Sequence, residues 1–222
     1  MIHIQLTPAI SSICPEFKGV AIAANVRNTT YNTLLWADID SQLTQLRTRY
    51  TTESLKQHPI IQATRTAYKR CGKDPSRYRP AAEALVRRVL QGHSLYQIST
   101  LVDLVNLVSV VTGYSIGGFD ADKIQGETLS LGIGMEGEPY EGIGRGTLNI
   151  ANLPVYRDAS GGIGTPTSDH ERTKLELNTT HFLALINGYE GDEEQLDTAA
   201  TYMQRLLTKY ASATAIEIVH YP

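Results

Sequence analysis

Apolar positions recur at two spacings along this chain, and one gives way to the other near residue 115. On the N-terminal side the spacing is helical. Ile39, Leu43 and Leu46 predict a helix from Asp38 to Tyr50, with Asp38 or Asp40 near its N-cap. A second helix starts at His58-Pro59, where proline suits the first turn, and carries Ile60, Ile61, Thr64, Ala67, Tyr68 and Cys71 on one stripe before the Gly72 stop. Pro80 opens a third, with Ala84, Leu85, Val89 and Leu90 facing inward and Gly92 at its end. A fourth spans Ser99 to Thr112, with Leu101, Leu104, Val105, Val108 and Val111 inside, Gly113 at its C-terminal stop and a turn predicted at Ser115–Phe119.

Beyond that point the pattern shortens into strand-length runs at Leu129–Ile133, Thr147–Ile150, Val155–Arg157, Leu175–Leu177 and Phe182–Ile186. Asp192 caps a last amphipathic helix through Leu196, Ala199, Met203, Leu206, Leu207 and Tyr210, and the alternating 215–219 segment reads as a closing strand. Near the N-terminus, Gly19 to Val26 is small and apolar throughout, the signature of a buried strand. The expected fold class is therefore mixed α/β (α+β): a mixed sheet flanked by helices. No linker separates the halves, so one domain is expected over residues 1–222, helical to about residue 113 and strand- and Gly-rich from about 114.

Charge sharpens this division. The whole chain of 222 residues carries a formal charge of −3. Residues 1–100 hold 13 Lys/Arg against 6 Asp/Glu, a net of +7, and residues 101–222 hold 7 against 17, a net of −10. Within the basic half Arg65, Lys69, Arg70, Lys73, Arg77, Arg79, Arg87 and Arg88 cluster against only Asp74 and Glu83. Such polarity either steers a polyanion to one face or simply solvates helix surfaces. The balance of 41% hydrophobic and 19% charged residues suffices for a core and excludes a disordered chain. No apolar run is long enough to span a bilayer and no signal peptide is read at the N-terminus, so a cytoplasmic protein with no membrane partner is expected. Cys14 and Cys71 stand alone, outside any Cys-x-x-Cys, and read as reduced structural thiols. No ligand spacing for a metal and no phosphate-binding glycine fingerprint occurs, so neither metal nor cofactor is expected.

The most specific stretch is Val102-Asp103-Leu104-Val105-Asn106-Leu107-Val108, followed by Gly113-Tyr114-Ser115-Ile116-Gly117-Gly118-Phe119-Asp120-Ala121-Asp122-Lys123-Ile124-Gln125-Gly126. It resembles the B3/B4 editing module of the phenylalanyl-tRNA synthetase β subunit, whose pattern is V-D-x-T-N-x-V, six residues, then x-P-x-H-A-F-D-x-D-K-I-x-G. Gly137-Glu138, Asp158, the Gly161–Gly164 stretch read as a turn, and Thr173, read as a strand start, follow the family order, and the similarity covers roughly residues 55–190. The resemblance implies tRNA or aminoacyl-tRNA as partner and hydrolysis of a mischarged ester at a pocket between the two halves. Carried over, Asn106 keeps the family's Asn, while the Thr position is Val105, the His position is Gly117, and the carboxylate that reads a tyrosine hydroxyl falls at Thr179.

The candidate pocket is therefore Asp103, Asn106, Gly117, Gly118, Gly161, Gly162, Thr179 and His181. Asp103 and Asn106, three apart, share a helix face. The glycine pairs offer close backbone N–H groups or serve as plain turns. Asn106 can position water or a substrate amine but cannot act as a base, so no catalytic residue is assigned. Asp169-His170-Glu171 reads as an exposed polar loop. Arg77, Arg79, Arg87 and Arg88 are the candidate RNA-binding face. The alternative function is a non-catalytic amino-acid- or RNA-binding module; a complete aminoacyl-tRNA ligase is not expected from 222 residues.

Overall fold

A computed structural model describes residues 2–222. Its elements in chain order are β1 (His3–Leu6), α1 (Pro8–Ile13), β2 (Lys18–Asn25), α2 (Thr33–Arg49), α3 (Pro59–Arg70), α4 (Ala81–Leu90), α5 (Thr100–Thr112), β3 (Ile116–Asp120) and β4 (Thr128–Ile133). There follow β5 (Glu141–Gly142), β6 (Gly146–Thr147), β7 (Pro154–Asp158), β8 (Gly161–Gly164), β9 (His181–Gly188), α6 (Glu193–Tyr210) and β10 (Thr214–Tyr221). The fold is mixed α/β. One sheet, ordered β10-β2-β9-β3, is antiparallel throughout; the other, β1-β4-β7-β8, is mixed, with β1 parallel to β4. β5 and β6 form a short separate ribbon.

Strands β2, β9 and β3 of the antiparallel sheet are buried on both faces, which explains the continuous apolar runs of β2 and β9. Val20, Ile22, Phe182, Ala184, Ile186 and Ile116 turn toward a helical layer built on Leu35, Ile39, Leu43, Leu101, Leu104, Val108, Met203 and Leu207. Ala21, Leu183, Leu185 and Phe119 turn the other way, onto Ile10, Phe17, Leu129, Leu131, Tyr156 and Ile163 beneath the mixed sheet. Helices, sheet and sheet thus stack in three layers. Period-2 alternation assigns each residue of β2 and β9 to one core or the other.

Several boundaries differ from expectation. α2 begins five residues early, at Thr33, because the Asn32 side chain accepts from the Leu34 and Leu35 N–H groups and so supplies the cap expected of Asp38 or Asp40. In α4 the buried stripe is Ala82, Val86 and Val89; Ala84, Leu85 and Leu90 lie at its partly buried flank. Val111 is 38% exposed and Val110 takes the inward place. Residues 116–120 are a strand, not a turn, because β9 supplies a partner for every one of them. Gly161–Gly164 is likewise a strand paired to β7. Leu148–Ile150 and Leu175–Leu177 form no strand, and Thr173 ends a 3-10 turn rather than starting a strand.

The N-terminus of α5 is fixed by two polar groups. Asn28 accepts from the Leu101 N–H (3.1 Å) and donates to Ser99 Oγ and the Glu176 carbonyl. Asp103 is buried; its Oδ1 accepts from the Ile98 N–H and its Oδ2 from Trp36 Nε1, both at 2.9 Å, while burial raises its pKa. Among the described residues no helix is long and apolar enough to cross a membrane. Trp36→Phe leaves a buried carboxylate oxygen without its donor, a loss of about 1–3 kcal/mol. Urea unfolding of this variant is expected to show a lower midpoint at an unchanged slope.

Candidate functional site

A cavity of about 390 Å³ opens where the helical layer meets the β3 edge of the antiparallel sheet. Val102, Val105 and Asn106 of α5 form one wall, and Ser115, Ile116 and Gly118 form the floor. The opposite wall is the segment that contributes Thr165, Ser168, Asp169, Lys174 and Leu175. α5 presents these side chains because Leu101, Leu104 and Val108 commit its other face to the core. At Gly118 an added Cβ would lie 3.3 Å from both Val105 and Leu175, so glycine here keeps the floor open.

β3 is an edge strand, and the N–H of Gly118 points away from β9. Asp169 Oδ2 accepts from it at 3.0 Å. The segment holding Asp169 is tied down closely. Thr165 Oγ1 accepts from the Thr167 and Ser168 N–H groups, Tyr140 donates to the Ser168 carbonyl, and the Asp169 carbonyl accepts from the Ile143 N–H. Its carboxylate lies in a notch between two glycines: a Cβ on Gly117 or Gly164 would come 3.4 or 3.1 Å from Oδ1. The carboxylate is half-buried, and the solvation it loses pushes its pKa up to about 7, against the pull of the Gly118 hydrogen bond. Asp169 is thus a cavity wall residue and not part of an exposed loop. Its neighbours in the D-H-E triplet differ: His170 Nδ1 accepts from the Arg172 N–H, and Glu171 pairs with Lys174 at 2.7 Å.

Of the eight pocket residues expected from sequence, Asn106 and Gly118 line the cavity. The other six lie elsewhere. Asp103 is spent on Trp36 and Ile98. Gly117 turns its missing side chain toward the Phe119 ring, where a Cβ would come within 2.6 Å. Gly161 has φ +125° at the β7–β8 turn and Gly162 packs on Tyr140. Thr179 donates to the buried Asp120 Oδ2 at 2.8 Å, and His181 pairs with Asp122 on the surface.

A second hollow, about 440 Å³, adjoins the first. Ala81 and Asn106 line both. Its rim carries Arg79, Arg87, Arg88, His93, Tyr96 and Arg145. Arg88 lies 3.9 Å over the Tyr96 ring and donates to its hydroxyl, while Arg79 leans on Glu83 at 3.6 Å. Arg77 stands apart, 5.7 Å over the Tyr78 ring. Others of the basic cluster have structural roles: Lys73 donates to the Asn149 and Ala151 carbonyls, and Arg65 pairs with Glu83. Arg145 escaped sequence reasoning because it comes from the acidic half, and Asp169 because its polar neighbours resemble solvent-facing residues. A larger, open groove of about 540 Å³ between α2, α3 and α6 contains none of the residues of the 102–126 stretch except Val111, Thr112 and Tyr114. Among the described residues no group of three or more His, Cys, Asp or Glu is placed to hold a metal.

The B3/4 domain family matches residues 63–218. Among solved structures, the chain is similar to an N-terminal fragment of the phenylalanyl-tRNA synthetase β subunit from Pyrococcus horikoshii, with a TM-score of 0.50 and 14% identity over 99% of this chain. It spans 54% of that fragment, about half its length. No curated protein matches the chain.

The raised pKa of Asp169 has a consequence for stability. Its folded value lies above its unfolded one, so the folded state holds a proton that the unfolded state has lost between about pH 4 and 7. The contribution is complete below the unfolded pKa and is lost as pH rises through about 7. Asp169→Asn keeps an oxygen for the Gly118 N–H and removes the titration. The variant is expected to gain on the native protein as pH rises from 4 to 8, up to roughly 4 kcal/mol for a shift of this size. Denaturant melts at pH 4.5 and 8 measure the difference.

Proposed function

The chain belongs to the B3/4 domain family, and from that premise we propose that it holds the aminoacylated end of a tRNA, with the acyl group in the cavity and the phosphates along the arginine rim. The carrying observation is the junction at Asn106 and Ala81, where an apolar cavity for a side chain passes into a basic cleft for a polyanion. An aminoacyl ester has that same order of parts: an apolar or polar side chain, an ester, then ribose and phosphates. The size of the cavity suits one amino-acid side chain, and its walls of Ile98, Val102, Val105, Ile143 and Leu175 favour an apolar one.

The ester would lie beside Asn106. Its amide can orient a water or polarise the ester carbonyl, and it takes no proton itself. Hydrolysis of a mischarged ester in trans is therefore the reaction this site is suited to, with Asn106 as the positioning group. A phenolic hydroxyl would meet no dedicated carboxylate at Thr179, which is engaged with Asp120. A second reading, binding without hydrolysis, is favoured by one observation: the residue beside Asn106 on the cavity wall is Val105, which brings no hydroxyl to the reaction centre.

Incubation with a panel of mischarged tRNAs, following ester loss, separates the two readings. If hydrolysis occurs, Asn106→Ala is expected to slow it at least about tenfold with an unchanged melting temperature, because Asn106 is partly exposed and fills no core space. Affinity for tRNA is expected to fall steeply with salt. The double variant Arg87→Glu, Arg145→Glu is expected to flatten the log–log salt slope by about 0.7–0.9 for each phosphate it no longer neutralises. An unchanged slope would reduce the rim to solvated surface.

A further inference from the structure

Four acids in the segments next to the cavity have a basic partner. Asp158 is held by Arg172 at 2.9 Å, Glu171 by Lys174 at 2.7 Å, and Glu176 by Lys123 at 2.6 Å; Asp120 lies 3.7 Å from the same Lys123. Asp169, half-buried on the cavity wall between Gly117 and Gly164, has no cation within ion-pair distance among the described residues. Among the described residues, the Gly118 N–H is the one hydrogen-bond donor to its carboxylate. A half-buried carboxylate left this way gains when a counter-charge arrives. The one ammonium on the same wall, that of Lys174, is already committed to Glu171.

The surroundings define what that counter-charge can be. Asp169 sits at the wall of a cavity whose other residues are mainly apolar or hydroxylated, so the arriving cation must be small and carried on a group that fills apolar space. A bulky guanidinium would have to be matched by further acceptors, and besides Asp169 the polar side chains of the lining that can accept are Ser and Thr hydroxyls and Asn106. An α-ammonium, one bond from the carbon that bears an apolar side chain, meets both requirements. The tethered 165–169 segment holds the carboxylate in place before the ligand arrives, so little ordering is needed on binding.

We propose that Asp169 is the receptor for a free α-ammonium group, so that the cavity accepts aminoacyl groups with an unblocked amine and turns away those that are N-acylated. This rests on the reading of the cavity as an acyl pocket and adds a rule of selection to it. An N-formyl, N-acetyl or peptidyl group would remove the positive charge, add bulk at the carboxylate and leave Asp169 without a cation. Asp169 is a specificity residue in this scheme, and Asn106 retains the ester.

The test uses hydrolysis-resistant probes, 3′-aminoacylamino-3′-deoxyadenosines carrying leucine or phenylalanine, and the N-acetyl derivative of each, measured by calorimetry on the full chain at pH 7.5. The native protein is expected to bind the free-amine probes at least about tenfold more tightly than their N-acetyl counterparts, as suits a charge-assisted contact. Asp169→Asn should erase that ratio by weakening the free-amine probes alone. The comparison between the two probe types on the native protein needs no variant, so a poorly folded variant does not affect it. Equal affinity of the native protein for free and acetylated probes overturns the proposal and leaves the acyl-pocket reading standing. A preserved ratio in a folded Asp169→Asn variant also overturns it. Binding of neither probe type by the native protein removes the acyl-pocket reading, and the proposal falls with it.

Discussion

Burial of one sheet on both of its faces is the constraint from which the rest follows. β2 and β9 must present apolar atoms to two cores at once, and their side chains divide strictly between them: Phe182, Ala184 and Ile186 toward the helices, Leu183 and Leu185 toward the second sheet. Asn187 of β9, buried among them, is committed to the Tyr156 hydroxyl and the Ser115 carbonyl. Function is thereby displaced to the margin of the sheet, and of its two margins β10 faces solvent while β3 meets α5 and the 165–175 segment. An edge strand has backbone donors to satisfy. The Asp169 carboxylate answers one of them, at Gly118, and in doing so becomes an ionisable group in a water-poor place.

The same geometry explains what the Phe119–Lys123 stretch is for. Phe119 packs its ring over Gly117 and Gly164, Asp120 caps the following turn through the Asp122 N–H, and Lys123 reaches the Lys174 carbonyl and Glu176. The contacts of Phe119 with Gly164 and of Lys123 with Lys174 and Glu176 hold β3 against the opposite wall. The stretch that carries the resemblance thus secures the frame of the cavity. Likeness in this stretch therefore carries the fold further than it carries a reaction.

Legibility in the sequence followed the physics of each element. α3, α5 and α6 could be read because each joins a helical stripe to a local punctuation: Pro59 and Gly72, Gly113 in the left-handed region, Asp192 accepting from the Gln195 N–H. β3 could not be read, since Gly117-Gly118 has no side chains to alternate and its strand state is imposed by β9. The start of α2 was hidden because Asn32 precedes an apolar Leu34-Leu35-Trp36 run with no period of its own. Asn106 was legible from the motif. Asp169 and Arg145 were not, because each owes its place to contacts far along the chain, and neither lies in a local pattern that marks it.

The segment from Thr165 to Leu175 does a second job besides walling the cavity. It covers the open side of β3, through the Asp169–Gly118 hydrogen bond and a bridge between Phe119 and Lys174. Uncovered, this margin would be a short, flat, glycine-containing strand with unsatisfied backbone groups, the kind of template on which other chains add. Lesions in this segment would accordingly surface first as self-association of otherwise native molecules. Soluble yield would then drop before any loss of ligand recognition became visible, and the colloidal behaviour of the protein and its selectivity would share one stretch of backbone.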